Sequence, residues 1–192
     1  MPRVNIAAEA DIIEQLENEA KKRGYTIYSL TNTALKALLK LLKESEDPNM
    51  LESLVDYYLI SKALDIVPVT TWYLENLTKL AYEKDSKQYE TLCEEVGQQI
   101  GSFLKSKAST IEELLNFYTN IREILPIRNV VVKSDGDLME FRVTGIGFST
   151  VSTLCAGRIF AKIAEAYNLK VVNVEAIPGG IVIIRGKFSG PV

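Results

Sequence analysis

Polar and apolar residues alternate from Arg3 to Ile6, with Val4 and Ile6 on one side and Arg3 and Asn5 on the other. That two-residue period predicts a short, half-buried strand. From Glu9 to Arg23 the period changes. Ile12, Ile13, Leu16 and Ala20 recur at helical spacing, and Gly24 after three basic residues is a helix stop. A second helix is expected to start near Thr26 or Ser29 and to bury Leu30, Ala34, Leu38 and Leu41 at intervals of three and four. The acidic, Pro-containing stretch Glu44-Ser45-Glu46-Asp47-Pro48-Asn49 predicts a linker.

Beyond the linker the pattern is helical to about residue 125. It predicts helices over roughly Met50 to Ile66, Val69 to Lys84, Lys87 to Lys105 and Thr110 to Leu125. After Pro126 the period shortens. Asn129 to Lys133 and Leu138 to Thr144 look like strands joined across Asp135-Gly136-Asp137, a helix is expected from Ser149 to Tyr167, and Lys170 to Ala176 should pair with Ile181 to Phe188 across Pro178-Gly179-Gly180. The fold class expected is α+β, in three parts: residues 1–44, a linker at 45–49, and residues 50–192 as a helical bundle carrying an antiparallel ββαββ unit.

Composition narrows the function. A hydrophobic fraction of 47% with 24% charged residues is ordinary for a globular chain that buries a core. No run approaches the roughly 20 apolar residues of a membrane span, and the N-terminus lacks the apolar stretch of a signal peptide, so no membrane role and a cytoplasmic location are expected. There is no histidine, which removes the commonest general base and the commonest zinc ligand, so no enzyme and no metal or other cofactor are expected. Cys93 and Cys155 are too few for a disulfide framework or a zinc site and are read as two buried, inert thiols. The net charge of −3 taken alone argues against nucleic acid, but residues 1–44 carry seven Lys and Arg against six acids.

One short strand and two helices, about 44 residues, can neither pair their own backbone edge nor enclose a sufficient core. A twofold homodimer solves both problems. The strands form an antiparallel ribbon, the helices bury Val4, Ile6, Ile13, Leu16, Leu30, Ala34 and Leu38, and Arg3, Asn5 and Ala7 project outward. At Arg3-Val4-Asn5-Ile6, then Ile13, Leu16, Ala20, the turn Gly24-Tyr25-Thr26, and Leu30 with Ala34-Leu35, the sequence resembles the ribbon-helix-helix repressors of the MetJ, Arc and CopG type. The resemblance implies a transcriptional regulator that binds double-stranded DNA as a homodimer or higher homo-oligomer. It implies base contact from Arg3, Asn5 and Ala7, and phosphate contact at the second helix start from Thr26, Tyr28 and Ser29. Arg suits guanine, Asn adenine, and Ala a thymine methyl. Tyr28 and Ala7 depart from the family's usual small hydroxyl and polar residues. Lys21, Lys22 and Arg23 are either phosphate contacts or a solvated helix end.

Residues 87–188 are similar to the 4-vinyl reductase domain family. The similarity rests on Glu95-Val96-Gly97-Gln98-Gln99-Ile100-Gly101, Cys155-Ala156-Gly157-Arg158-Ile159, and Val171-Val172-Asn173-Val174-Glu175 leading to Gly179-Gly180. It implies a domain that binds small apolar or tetrapyrrole-like ligands or serves as a dimerisation platform. No metal role carries over, since Ile177, Pro178 and Ile181 stand where the family often has cysteines. Tyr57, Tyr58, Trp72, Tyr73, Tyr82, Tyr89, Phe103, Phe117, Tyr118, Phe141, Phe148 and Phe160 are candidates to line a pocket, with plain core packing the competing reading. Gly145-Ile146-Gly147-Phe148-Ser149-Thr150, between a strand and a helix, offers Gly145, Gly147, Ser149 and Thr150 as an anion or ligand site, or else a tight connection. Two alternatives to a regulator stand open: a nonenzymatic interaction protein that only dimerises, and a small enzyme in residues 50–192.

Overall fold

The computed structural model describes residues 5–44, 47–122, 125–135, 137–145 and 149–188. The chain divides into two compact units, an N-terminal one ending at Leu51 and a C-terminal one beginning at Glu52. The architecture is mixed α+β, with helices and one four-stranded antiparallel sheet.

In the N-terminal unit α1 (Ala10–Arg23) stops at Gly24, whose φ of +70° lets the Tyr25 amide reach back to the Ala20 carbonyl at 2.9 Å. α2 (Ile27–Lys43) follows at once, with the Thr26 hydroxyl accepting from the Ser29 amide at 3.1 Å. The two helices cover each other poorly. Ala20 is the one buried residue of α1, α2 has none, and Leu30, Leu38 and Leu41 are half-buried while Ile6 and Ala34 are exposed. Burial of Ile6 and Ala34 is therefore not achieved within one chain. The expected strand is absent from Asn5 and Ile6, and Arg3 and Val4 lie outside the described residues. A lone strand has no ladder partner in a single chain, so its backbone gains nothing by extending.

The C-terminal unit takes in most of α3 (Met50–Ala63), then α4 (Thr71–Lys84), α5 (Ser86–Lys107) and α6 (Ile111–Ile121). α3 stops three residues short of the expected Ile66 because Asp65 turns to a φ of +50°, with the Ile66 amide donating to the Ser61 carbonyl. α4 starts two residues late because Thr70 is its cap, accepting from the Tyr73 amide. At α6 the Thr110 hydroxyl accepts from the Glu113 amide while the Glu113 carboxylate accepts from Ser109, a reciprocal cap legible in the sequence.

β1 (Asn129–Asp135), β2 (Leu138–Thr144), α7 (Thr150–Ala166), β3 (Leu169–Ile177) and β4 (Ile181–Phe188) complete the chain. The strand order is β1-β2-β4-β3, all antiparallel, so the two hairpins meet through β2 and β4, with Phe141 opposite Ile184 and Val143 opposite Val182. α7 lies on one face of the sheet, over a core of Val143, Leu169, Val182 and Ile184 joined by Phe141, Phe160 and Val174. Glu140 and Glu175 meet Arg185 in a charged ladder among the strands.

α5 packs on α7 closely enough that two glycines are required. A Cβ on Gly97 would lie 2.7 Å from the Ile159 carbonyl oxygen, and one on Gly101 3.1 Å from the Ala166 side chain. Along this seam Cys93 and Cys155 form a disulfide, with Cα atoms 5.4 Å apart. This corrects the expectation of two inert thiols. Residues 62 positions apart in sequence are brought into register by the helix pair, which the spacing alone does not show. Arg158 reinforces the seam through Glu90 at 2.6 Å and Glu94 at 3.5 Å.

Candidate functional site

α6 carries its apolar residues Ile111, Leu114, Leu115, Tyr118 and Ile121 at intervals of three and four, and this face turns toward the sheet without filling the space beneath it. A cavity of about 160 Å³ remains. Val130, Phe141, Val143 and Ile184 of the sheet form its floor, Phe160, Ile163 and Ala164 of α7 with its C-cap Tyr167 one wall, and Leu104 of α5 closes an end. The lining is hydrocarbon and aromatic throughout.

Tyr118 and Tyr167 bring the hydroxyls of the lining, and that of Tyr167 is engaged elsewhere. It donates to the Ala108 carbonyl at 2.8 Å, at the turn between α5 and α6. Burial pushes the phenol above its ordinary range, and the Glu113 charge adds to the effect, so Tyr167 stays a neutral donor. Lys105 lies 5.9 Å from the ring centre and donates to the Ala166 carbonyl at the end of α7. One residue thus contributes apolar wall to the cavity while its hydroxyl ties down the turn that launches α6.

Of the twelve aromatics singled out in the sequence, Phe117, Tyr118, Phe141 and Phe160 line the cavity. Tyr89 is buried elsewhere, Tyr58, Trp72 and Tyr73 are exposed, and Phe148 lies outside the described residues. Tyr167 was legible only as the end of a helical pattern. Its position at the C-cap of α7, three residues past Ala164, places it in the same wall as Phe160 and Ile163.

The loop before α7 is occupied from within the chain. Gly145 has a φ of +104° and packs so tightly that a Cβ there would lie 2.5 Å from the Arg128 amide nitrogen; Gly147 is outside the described residues. Ser149 caps α7 through the Ser152 amide, and Thr150 opens the helix exposed. The Ser149 amide donates to the Glu75 carboxylate at 3.3 Å. Burial works to raise the Glu75 carboxyl, but the hydrogen bonds from Ser149 and Ser152 outweigh it and hold it below the ordinary carboxylate range. A carboxylate of α4 therefore sits where an incoming anion would meet this helix terminus.

In the N-terminal unit Asn5 and Ala7 are exposed, and Arg3 lies outside the described residues. Thr26, Tyr28 and Ser29 are brought together at the exposed first turn of α2, where the Tyr28 carbonyl accepts from the Asn32 side chain at 2.8 Å. Lys22 and Arg23 are paired along α1 with Glu19, at 2.8 and 3.2 Å. That is the arrangement of a solvated helix end. No helix among the described residues is long and apolar enough to cross a membrane.

No family model and no curated protein matches the chain. Among solved structures, a mutant of the T. Tengcongensis H-NOX is similar at 17% identity, covering 85% of this chain and 98% of that one, with a TM-score of 0.42. A likeness this distant assigns neither a family nor an activity.

Proposed function

We propose that this protein is a transcriptional regulator that binds double-stranded DNA as a homodimer through its N-terminal unit and holds a small apolar ligand in its C-terminal unit. The observation that carries the dimer is the uncovered apolar surface of the helix pair. Ile6, Ile12, Leu39 and Leu42 are all about half exposed or more, and a unit that buries one side chain in α1 and none in α2 needs a second copy to enclose a core. The ribbon that such a dimer supplies presents Arg3, Asn5 and Ala7 to the major groove, and the exposed first turn of α2 at Thr26, Tyr28 and Ser29 to phosphate.

The ligand reading rests on the cavity under α6. Its volume of about 160 Å³ is close to that of an engineered apolar cavity of roughly 150 Å³ known to take benzene. Drug-sized ligands need roughly 300–1,000 Å³, so of the two ligand classes expected the compact apolar one fits and a tetrapyrrole does not.

The test of the DNA reading is a gel-shift comparison of wild type with an Arg3→Ala, Asn5→Ala double variant on a selected operator and on scrambled DNA. Each lost base contact should weaken operator binding by roughly 1–3 kcal/mol while leaving the weak, salt-sensitive binding to scrambled DNA in place. Equal discrimination by two proteins that both remain dimers would leave a ribbon that only dimerises.

A further inference from the structure

α4 turns one face into the fold and leaves an apolar face outside. On the inner face Thr78 and Ser152 share a hydroxyl hydrogen bond of 3.3 Å, Glu75 accepts from the Ser149 amide, and Tyr82 meets Tyr89 edge to face at 5.9 Å. Three contacts spread over two turns fix the rotation of the helix. Trp72, Tyr73, Leu77 and Leu80 are left outside, 74%, 52%, 49% and 65% exposed. Tyr73, Leu77 and Leu80 follow the i, i+4, i+7 spacing of a packing seam, not the scatter of ordinary surface apolar residues. α3 shows the same excess. Its apolar residues run all round the helix, a pattern normally found in enclosed helices, yet Leu54, Val55, Tyr58 and Leu59 are exposed.

We propose that these faces of α3 and α4 are covered by a second copy of this chain. The α4 seam is its own complement. An antiparallel approach centred between Asn76 and Leu77 sets Tyr73 of one copy against Leu80 of the other and the reverse, as a twofold interface requires. Its exposed flank carries Lys79 and Glu83, which pair with each other at 3.9 Å, so two copies meet without like-charge repulsion and a highly charged partner gains nothing.

Area decides that both helices take part. At about 100 Å² for each exposed large side chain, the four α4 residues fall well short of the roughly 800 Å² that each partner gives to a standard interface, whereas the four of α3 together with Val67 and Val69 bring the total to that range. The second copy is also near at hand, an argument that rests on the N-terminal dimer proposed above. The six residues 44–49 reach at most about 20 Å, so dimerised N-terminal units hold two C-terminal units at an effective concentration on the order of millimolar.

Trp72 is the single tryptophan of the chain and reports on this face directly. Acrylamide quenching of the full-length protein is compared with N-acetyltryptophanamide and with a Leu77→Glu, Leu80→Glu double variant, alongside sedimentation and DNA retardation. Wild-type Trp72 should be quenched several-fold less than the free indole, and the double variant should recover most of that difference while still retarding DNA. Wild-type quenching equal to the free indole overturns the proposal without any variant. Shielding that appears only on adding phosphatidylcholine vesicles also overturns it and assigns the face to a lipid surface. A DNA-binding dimer with an unshielded Trp72 refutes this contact alone. A wild type that sediments as a dimer with Trp72 shielded but retards no DNA upholds the contact and refutes the N-terminal reading.

Discussion

Tyr167 joins two tasks in one side chain, and its hydroxyl can be removed without disturbing the wall it contributes. Tyr167→Phe leaves the Ala108 carbonyl, at a residue only 2% exposed, without its partner. The expected loss is about 1–3 kcal/mol, read as a lowered urea midpoint at neutral pH. Glu75 makes the pH-dependent counterpart. Its carboxyl is held below the ordinary value of 4.5, so the unfolded chain binds the proton more readily than the folded one. The stabilisation is complete above about that pH and is lost as pH falls through the lower, folded value. Glu75→Gln should flatten the acid limb of stability against pH, measured by denaturant midpoints across that range. A limb unchanged in the variant would mean that other carboxylates set it.

At the scale of elements, the α5–α7 pair is the best-secured part of the fold, combining glycine contacts, an ion-pair row and a disulfide. Closing a loop of 62 residues removes chain entropy from the unfolded state worth about 4 kcal/mol in the chain-entropy model. Cys155→Ser should therefore lower stability by roughly 2–4 kcal/mol, and reduction of the wild type should do the same in a chemical denaturation curve. α6 stands at the other extreme. Its cap and the Tyr167 bond secure its start, while its apolar face spans a cavity instead of a packed core, so it is the element best placed to adjust to a ligand.

For the whole molecule the proposed ligand and the proposed DNA contact belong to different units, and binding at one regulates the other only if the ligand prefers one DNA-binding state. The ligand step is testable by itself. Toluene or indole at about 100 times its dissociation constant should stabilise the wild type by about 2.7 kcal/mol, seen as a raised melting temperature. Ala164→Leu places a larger side chain in the cavity wall and should abolish that shift without loss of helical content. A shift that persists in the variant would place the ligand elsewhere.

Element type was largely written in the chain. Helical spacing from Glu9 to Arg23, the reciprocal cap at Ser109 to Glu113 and the hairpin glycines at 179 and 180 each act over a few residues, and the structure has α1, α6 and the β3–β4 turn there. Strands β2 and β4 run over the expected residues, because alternation bounded by turns sets both ends. The helix ends at Ala63 and Thr71 were misplaced for a local reason too, since apolar spacing runs on past a residue that turns left-handed and past a cap. What needed tertiary structure was every relation between distant segments. The Cys93–Cys155 bond, the Glu75 carboxylate at Ser149 and the convergence of Phe141, Phe160 and Tyr167 on one cavity depend on how α4, α5 and α7 stack over the sheet. Periodicity states which face of an element is apolar; only packing decides what that face meets, and whether the space between is filled.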